Sequence, residues 1–217
     1  MKKPPRNLFA TLAAAAIVGA AILVPGARAQ SIIDDWGTAK FPPPPALKPA
    51  KIEAKETALL VMDLTLQTCS VQRRPRCTAS APKIAKLIAD ARPKGALVIY
   101  SIAGTGATPA SILKEIAPAD GETILPPLGP DKFIGSDLEK MLKDKGIKTV
   151  VAVGTQAQTS VLHTAAAAAL RGFKVVVPVD GMSSDNTFPE LYTAWHLATA
   201  SRISDQVTLT RTDMISY

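Results

Sequence analysis

Short apolar runs alternate with amphipathic segments from residue 56 to residue 210, and this alternation constrains the fold more than any other feature. Runs of five or six apolar residues are typical of strands buried on both faces of a parallel sheet. The intervening segments carry apolar residues at helical spacing, as at Ile84, Leu87 and Ile88. The sequence therefore predicts a three-layer α/β/α domain with a doubly wound, mostly parallel sheet and a site at the carboxyl ends of its strands. The predicted strands are 57–62, 96–100, 149–153, 174–178 and 206–209, and the predicted helices are 82–91, 109–116, 136–145, 160–171 and 189–202.

One helix start is predicted in more detail. Ser136 and Glu139 have the spacing of a capping box. In that motif the serine hydroxyl accepts from the backbone N–H of the glutamate, whose carboxylate accepts from the N–H of the serine. We therefore expect this helix to begin at Ser136.

The first 29 residues have the layout of a secretory signal peptide. Lys2, Lys3 and Arg6 precede an apolar stretch from Leu8 to Val24, and Ala27-Arg28-Ala29 offers small residues at a cleavage site. The alternative is a membrane anchor, but the stretch is rich in alanine and ends at that site. We expect cleavage after Ala29, a secreted or periplasmic protein, and no membrane association once the signal is removed.

Removal of this segment changes the charge of the chain. Residues 1–29 hold four basic groups and no acidic one, so Lys+Arg falls from 25 to 21 against 18 Asp+Glu, and the net charge falls from +7 to +3. We therefore do not expect a nucleic-acid partner. The predicted organisation is a signal peptide at 1–29, a Pro-rich lead-in at 30–54 and one domain at 55–217. Pro42 to Pro45 predict an extended polyproline segment, interpreted as a strap or tether rather than as a recognition motif.

Two cysteines and three arginines lie close together after the first strand. In an oxidising compartment, Cys69 and Cys77 favour a disulfide over two unpaired thiols. A bridge would make the intervening segment a stiff basic loop at the mouth of the site. That loop would suit a carboxylate- or phosphate-bearing ligand, although a solvated run of charge is an equal alternative. The arginines of this segment are Arg73, Arg74 and Arg76.

Polar groups at strand ends indicate where the chemistry lies. Asp63 follows the first strand, Ser160 lies near the start of the helix after the third, and Asp180 follows the fourth. A single aspartate at a strand end is more often a turn residue or a cap than a catalyst. Three strand ends that converge are a better signal, but not a specific one.

Longer sequence motifs indicate the catalytic residues more specifically than strand ends do. Residues 58–63, 154–165 and 180–184 resemble the opening strand, the nucleophile turn and a later segment of the isochorismatase-like (cysteine hydrolase) family, and 133–138 resembles the stretch after its catalytic lysine. The resemblance covers about residues 56–215 and implies that Asp63 is catalytic and that Ser160 holds the nucleophile's place. It also implies a cis Thr155–Gln156 peptide, with the backbone N–H groups of Gln156 and Ser160 forming an oxyanion hole.

The departures from the family are as informative. Ser160 stands where the family has its cysteine, and ungapped counting places Pro127 at the catalytic lysine. Lys132 is the nearest substitute, at a different register, with a solvated loop lysine as the alternative. The metal-binding histidines of the nicotinamidase branch have no counterpart, and His163 and His196 are interpreted as structural. No metal and no cofactor are expected.

Proton-transfer energetics limit what Ser160 can do. An aspartate of pKa ~3.9 and a thiol of pKa ~8.5 differ by ~4.6 units, or about 6 kcal/mol. An alcohol near the pKa of water, ~15.7, widens the gap to ~12 units, or about 16 kcal/mol. A serine mechanism needs a better base, for which only Lys132 or His163 is available. Protonation of a vinyl ether by Asp63, as in the true isochorismatase branch, needs no nucleophile.

Two functions follow. The first is an exported hydrolase of a small amide or vinyl ether, with weak or altered chemistry. The second is an inactive family member that binds a small molecule or a partner. A cation within reach of Asp63 and Ser160 would favour the enzyme. We expect a small-molecule ligand, with anionic ones favoured, and leave a homo-oligomer open. With Pro127 at the lysine position, we expect Ser160→Cys alone not to restore amidase activity.

Overall fold

The computed structural model describes residues 31–217, so the predicted signal peptide lies outside the described residues. The chain divides into a unit ending at Phe41 and a larger unit, Pro42–Tyr217. In the described part of the first unit, Ile32–Asp35 forms a single helical turn, α1. The prolines at 42–45 lie outside helices and strands. The predicted irregular lead-in is therefore interrupted by α1, and it also contains the short strand β1 given below.

The larger unit is built on parallel strands. Its strands are β1 Ala50–Lys51, β2 Thr57–Met62, β3 Leu97–Ser101, β4 Thr123–Leu125, β5 Thr149–Thr155, β6 Lys174–Pro178, β7 Met182–Ser183, β8 Val207–Thr210 and β9 Ile215–Ser216. The main sheet has the order β4-β3-β2-β5-β6-β8, with β7 paired to β5, and β1 pairs separately with β9. All of these pairings are parallel. The strand order reverses direction about β2 and β5, and their carboxyl ends therefore form the edge where a doubly wound sheet holds its site.

Helices cover both faces of this sheet and bury its alternating side chains. Leu59 and Val61 of β2 pack on the face that holds the first long helix, whereas Leu60 and Met62 face the other helices. None of the helices within residues 31–217 is long and apolar enough to cross a bilayer. The predicted three-layer α/β/α fold is confirmed. The helices of the larger unit are α2 Pro75–Ala91, α3 Leu138–Asp144, α4 Leu162–Leu170 and α5 Thr187–Thr199.

Three helix predictions need correction. Helix α2 begins at Pro75 rather than at Pro82 and contains Cys77. Pro75 takes the first position, where proline is tolerated, and Pro82 lies inside the helix. The predicted helix at 109–116 is two separate 3₁₀ turns. The capping box at Ser136 is absent, since the Ser136 hydroxyl accepts from Leu138 N–H and the Glu139 carboxylate binds Lys143 and Arg171.

Gly154 sets the close approach of β2 and β5. It pairs with Met62 and has φ +136°, and a Cβ added there would lie 2.1 Å from the Met62 carbonyl oxygen. No side chain fits between the two strands at this point. Asp63, which follows β2, and Thr155, the last residue of β5, are consequently brought to one edge of the sheet.

Candidate active site

Asp63 lies at the carboxyl end of β2 and is almost wholly buried, with 3% of its surface exposed. Its φ of 61° is in the left-handed region, which costs a non-glycine residue about 1–2 kcal/mol. Two contacts with the end of β3 hold this conformation. The Asp63 N–H donates to the Ser101 carbonyl at 3.0 Å, and the Ser101 hydroxyl donates to Asp63 Oδ1 at 2.7 Å. The second carboxylate oxygen, Oδ2, is left for other partners.

Ser160 supplies one of those partners. It lies in the wide π-helical turn Ala157–Val161, which follows β5 and leads into α4. The residue is 5% exposed, and its hydroxyl donates to Asp63 Oδ2. The residue that the family resemblance places at the nucleophile position therefore contacts the carboxylate at the end of β2.

Lys132 supplies the other partner. Its ammonium donates to Asp63 Oδ2 at 2.8 Å and to the Gly129 carbonyl at 3.2 Å, and the residue is 1% exposed. Its backbone is fixed on both sides, because its N–H donates to Thr164 Oγ1 at 3.2 Å and its carbonyl accepts from the Ser136 hydroxyl at 2.6 Å. A solvated loop lysine, the alternative interpretation, is ruled out.

The Lys132 ammonium and the Ser160 hydroxyl thus meet at one oxygen of the Asp63 carboxylate, in a site that is buried from water. Charges that are buried in this way interact more strongly than at a surface. The carboxylate can accept a proton, the hydroxyl can attack an electrophilic carbon, and the ammonium can stabilise negative charge nearby. Such a set of groups suits hydrolytic chemistry.

A family model described as "Isochorismatase domain" matches residues 57–208. The chain belongs to the isochorismatase family. This family assignment confirms the resemblance on which the sequence predictions rest.

Individual relatives agree with the family assignment. The chain is 26% identical over 144 residues to the secreted isochorismatase effector Isc1 of Verticillium dahliae, covering 62% of this chain and 76% of that protein. It is 36% identical over 69 residues to an N-carbamoylsarcosine amidase of Arthrobacter, covering 32% of this chain but only 26% of that enzyme. The fold is similar to that of an isochorismatase family protein from Desulfovibrio vulgaris, with a TM-score of 0.65, 21% identity, and coverage of 73% of this chain and 95% of the other.

The location of Lys132 is the main correction to what was expected from the sequence. Pro127, which ungapped counting assigned to it, is exposed, whereas the Lys132 ammonium reaches Asp63. The expectation that a Ser160→Cys protein would lack its cation therefore rests on a wrong premise. His163, the other candidate base, has an exposed side chain on α4, while the Ser160 hydroxyl is buried against Asp63.

The turn before Ser160 has the expected backbone. The Thr155–Gln156 peptide bond is cis, as the family resemblance implied. The Gln156 carbonyl accepts from the N–H groups of Thr159 and Val161, at 3.1 and 3.3 Å. The oxyanion-hole role of the Gln156 and Ser160 N–H groups stays a prediction.

The predicted disulfide between Cys69 and Cys77 is present, with the two Cα atoms 5.4 Å apart and both residues buried. The arginines between them differ from one another. Arg74 is buried and pairs with Asp185 at 2.8 Å, and Arg76 pairs with Glu190, whose hydrogen bonds raise the pKa of the Arg76 guanidinium. Arg73 is exposed, and within residues 31–217 it forms no such ion pair. Substrate binding by Arg73 stays a prediction. Arg74 and Arg76, by contrast, form ion pairs with carboxylates of the protein itself.

Other strand-end groups have different roles from those expected. Asp180 does not join the site, since its carboxylate accepts from Thr212 N–H at 2.8 Å and Thr212 Oγ1 at 3.0 Å and pairs with Lys83. Ser101, which contacts Asp63, was missed. A detectable signal existed, because Ser101 also follows an apolar run whose carboxyl end lies beside that of β2. Asp185 was missed as well, and nothing in its local sequence distinguishes it.

Proposed function

We propose that this chain is an exported hydrolase of the isochorismatase family that cleaves a small substrate at an amide C–N bond, with weak activity, and that a vinyl ether is the second substrate class. The observation that carries the proposal is the convergence of the Lys132 ammonium and the Ser160 hydroxyl on Asp63 Oδ2 within a buried site. A cation within reach of Asp63 and Ser160 is the feature that we expected to distinguish an enzyme from a binding protein of the same fold.

In amide cleavage, Ser160 Oγ attacks the carbonyl carbon and its proton passes to Asp63, the acceptor of its hydrogen bond. Asp63 returns this proton to the leaving nitrogen as the C–N bond breaks. Water then hydrolyses the acyl-serine ester: Asp63 takes a proton from the attacking water and returns it to Ser160 Oγ as the ester C–O bond breaks and the acid product is released. The N–H groups of Gln156 and Ser160, with Lys132 close by, stabilise the negative charge of the intermediates.

The serine makes this route slow. The reference gap of about 16 kcal/mol between a carboxylic acid and an alcohol is larger than the several kcal/mol that one cation or one oxyanion donor supplies. A thiol reduces the gap to about 6 kcal/mol. Since Lys132 is already in place, Ser160→Cys should raise amide turnover, which reverses the expectation drawn from the sequence.

Vinyl-ether hydrolysis is the second candidate because it does not use the nucleophile. Asp63 in its protonated form would give its proton to the vinyl carbon. Water would then add to the resulting oxocarbenium ion and return a proton to Asp63, and the hemiketal so formed would break down to a carbonyl product and an alcohol. The segment Gly154-x-x-Ala157 resembles the isochorismatase branch at this turn. In this reaction Asp63 is essential and Ser160 is dispensable.

Properties of the chain and of its relatives support export and a small substrate. One relative is named as a secreted isochorismatase effector, and another as an amidase that acts on N-carbamoylsarcosine. The Cys69–Cys77 disulfide fits an oxidising compartment. We expect Arg73, the exposed arginine between the two cysteines, to bind a carboxylate of the substrate.

The test compares wild type, Asp63→Asn, Ser160→Ala and Ser160→Cys on small primary amides, N-carbamoyl amino acids and a vinyl ether. Amide turnover should disappear in Asp63→Asn and Ser160→Ala and rise at least about 10²-fold in Ser160→Cys, a change of about 2.7 kcal/mol in barrier. Vinyl-ether turnover should disappear in Asp63→Asn and persist in Ser160→Ala. Thr199→Ala removes an exposed hydroxyl of α5 and serves as the matched control.

The alternative is an exported binding protein without catalysis, which the serine at the nucleophile position favours. It predicts no turnover on any substrate in wild type or in Ser160→Cys. That result would overturn the hydrolase proposal, provided that Ser160→Cys retains the thermal unfolding midpoint of the wild type.

A further inference from the structure

Arg74 connects the disulfide-bonded segment to the turn that carries Ser160. Its guanidinium is buried, with 4% of the residue exposed, and contacts three partners. Nε donates to Asp185 Oδ1 at 2.8 Å, while Nη1 donates to the Thr68 carbonyl at 2.8 Å and to Thr155 Oγ1 at 3.2 Å. The second oxygen of Asp185 accepts from Gln156 Nε2 at 2.8 Å. Arg74 therefore holds Thr155 directly and Gln156 through Asp185.

The position of Gln156 affects the position of Ser160. The Gln156 carbonyl accepts from Thr159 N–H and Val161 N–H, the residues on either side of Ser160. These bonds form the first turn of the helix that presents the Ser160 hydroxyl to Asp63. A displacement of Gln156 would consequently displace the nucleophile and one predicted oxyanion donor together.

The disulfide holds Arg74 in turn. Arg74 lies between Cys69 and Cys77, its N–H donates to the Ser70 carbonyl at 2.7 Å, and its carbonyl accepts from Cys77 N–H at 3.0 Å. Thr68, whose carbonyl binds the guanidinium, directly precedes Cys69. The bridge thus closes the segment that fixes both the backbone and the side chain of Arg74.

We propose that Arg74 is a positioning residue for the Ser160 turn and that the Cys69–Cys77 disulfide keeps it in place, so that reduction of the bond lowers turnover. A dithiol reductant would supply two electrons and two protons, break the S–S bond to two thiols and itself become a disulfide. The effect on turnover rests on the proposed function, whereas the effect on the order of the turn does not.

Lysine cannot replace Arg74 in this role. The planar guanidinium presents several donors in fixed directions, and here two of its nitrogens serve three acceptors on different segments. An ammonium keeps the charge but cannot reproduce that geometry. Arg74→Lys therefore removes the positioning while it leaves a cation in the buried site.

Hydrogen–deuterium exchange on the disulfide-intact protein tests the positioning without any substrate. In Arg74→Lys, the amides of residues 155–161 should exchange at least about 10-fold faster than in wild type, while those of α3 stay unchanged. Arg73→Lys and Arg76→Lys are matched controls from the same segment, and their exchange at 155–161 should stay within about 2-fold of wild type. Unchanged exchange in Arg74→Lys, or equal acceleration in all three variants, would overturn the inference.

Turnover and redox state provide the second readout, on whichever of wild type and Ser160→Cys is active. Arg74→Lys should lower kcat about 10- to 100-fold with little change in KM, because a displaced reacting group lowers the rate more than it weakens binding. Dithiothreitol treatment, or the Cys69→Ser/Cys77→Ser protein, should act in the same direction and also accelerate exchange at 155–161. A folded, reduced protein with unchanged kcat and exchange would overturn the role of the disulfide. Faster exchange in a chain without any turnover would support the positioning and count against the proposed function.

Discussion

The Asp63 carboxylate accepts hydrogen bonds from Ser101, Lys132 and Ser160, and all four residues are buried. Removing a carboxylate and an ammonium from water costs several kcal/mol per ion, and only close pairing with further hydrogen bonds offsets that cost. In this site Ser101 and Gly129 supply part of the compensation. The interaction between Asp63 and Lys132 therefore links the site's chemistry to the stability of the fold.

Lys132→Met should destabilise the protein by about 3–5 kcal/mol, because it leaves Asp63 buried without its cation. Adding Asp63→Asn to that variant removes the unpaired charge and should recover part of the loss. The measurement is the free energy of unfolding from urea titrations. Lys140→Met is the control, since it breaks the exposed pair with Asp144 and should cost no more than about 0.5 kcal/mol. Equal losses in Lys132→Met and in the double variant would contradict this account.

At the scale of elements, two junctions build the site. The first is the pairing of β2 with β5, where Gly154 lets the two strands come together and their ends place Asp63 beside Thr155. The second is the wide turn at 157–161, which turns the Ser160 hydroxyl inward while α4 continues beyond it. Both junctions are tightly packed, so small changes there should be costly.

Gly154→Ala should destabilise the protein by at least about 2 kcal/mol more than Gly172→Ala. Both glycines have positive φ, but a Cβ at Gly154 would collide with the Met62 carbonyl oxygen, whereas a Cβ at Gly172 meets nothing within 4 Å. The difference in unfolding free energy between the two variants therefore measures the effect of the close approach of the strands, because the strain of a positive φ is common to both. Thermal and urea unfolding of the two variants measure it, and similar losses would argue against a close approach that excludes side chains.

At the scale of the whole molecule, the two ends of the domain meet. Strand β1 pairs with β9 near the end of the chain, and Tyr217 packs against the apolar cluster on the α2 face of the sheet. Burial, followed by the charge of Asp90, raises the pKa of Tyr217 from 10.0 to about 12. The neutral phenol is thus favoured in the folded protein more than in the unfolded chain.

Global stability should consequently depend on alkaline pH. Because the folded-state pKa of Tyr217 is raised, its contribution is complete below pH 10 and is lost as the pH rises through about 12. Tyr217→Phe lacks this titration, so the unfolding free energy of wild type relative to Tyr217→Phe should decrease above pH 10. Urea titrations at pH 8, 10 and 11.5 test this in both proteins. A constant difference across that range would contradict the raised pKa.

The sequence by itself was sufficient for the fold class, for most strands and for the nomination of Asp63, Ser160 and Lys132 as candidate site residues. Apolar runs and helical spacing are local properties, and a parallel sheet brings the ends of its strands to one edge whatever the loops do. Asp63 and Ser160 follow directly from that rule and from the family motifs. The disulfide followed from spacing and compartment.

Only the tertiary structure decided where the long polar side chains go. Ungapped counting along the sequence placed the family lysine at Pro127 and left Lys132 as a substitute. The contact of Lys132 with Asp63 depends on Thr164 and Ser136, which hold the Lys132 backbone. Arg74 turned from an expected ligand for substrate into a partner of Asp185, 111 residues away in the chain. Long side chains sample many directions at similar energy, so distant partners rather than neighbouring residues select the one that is occupied.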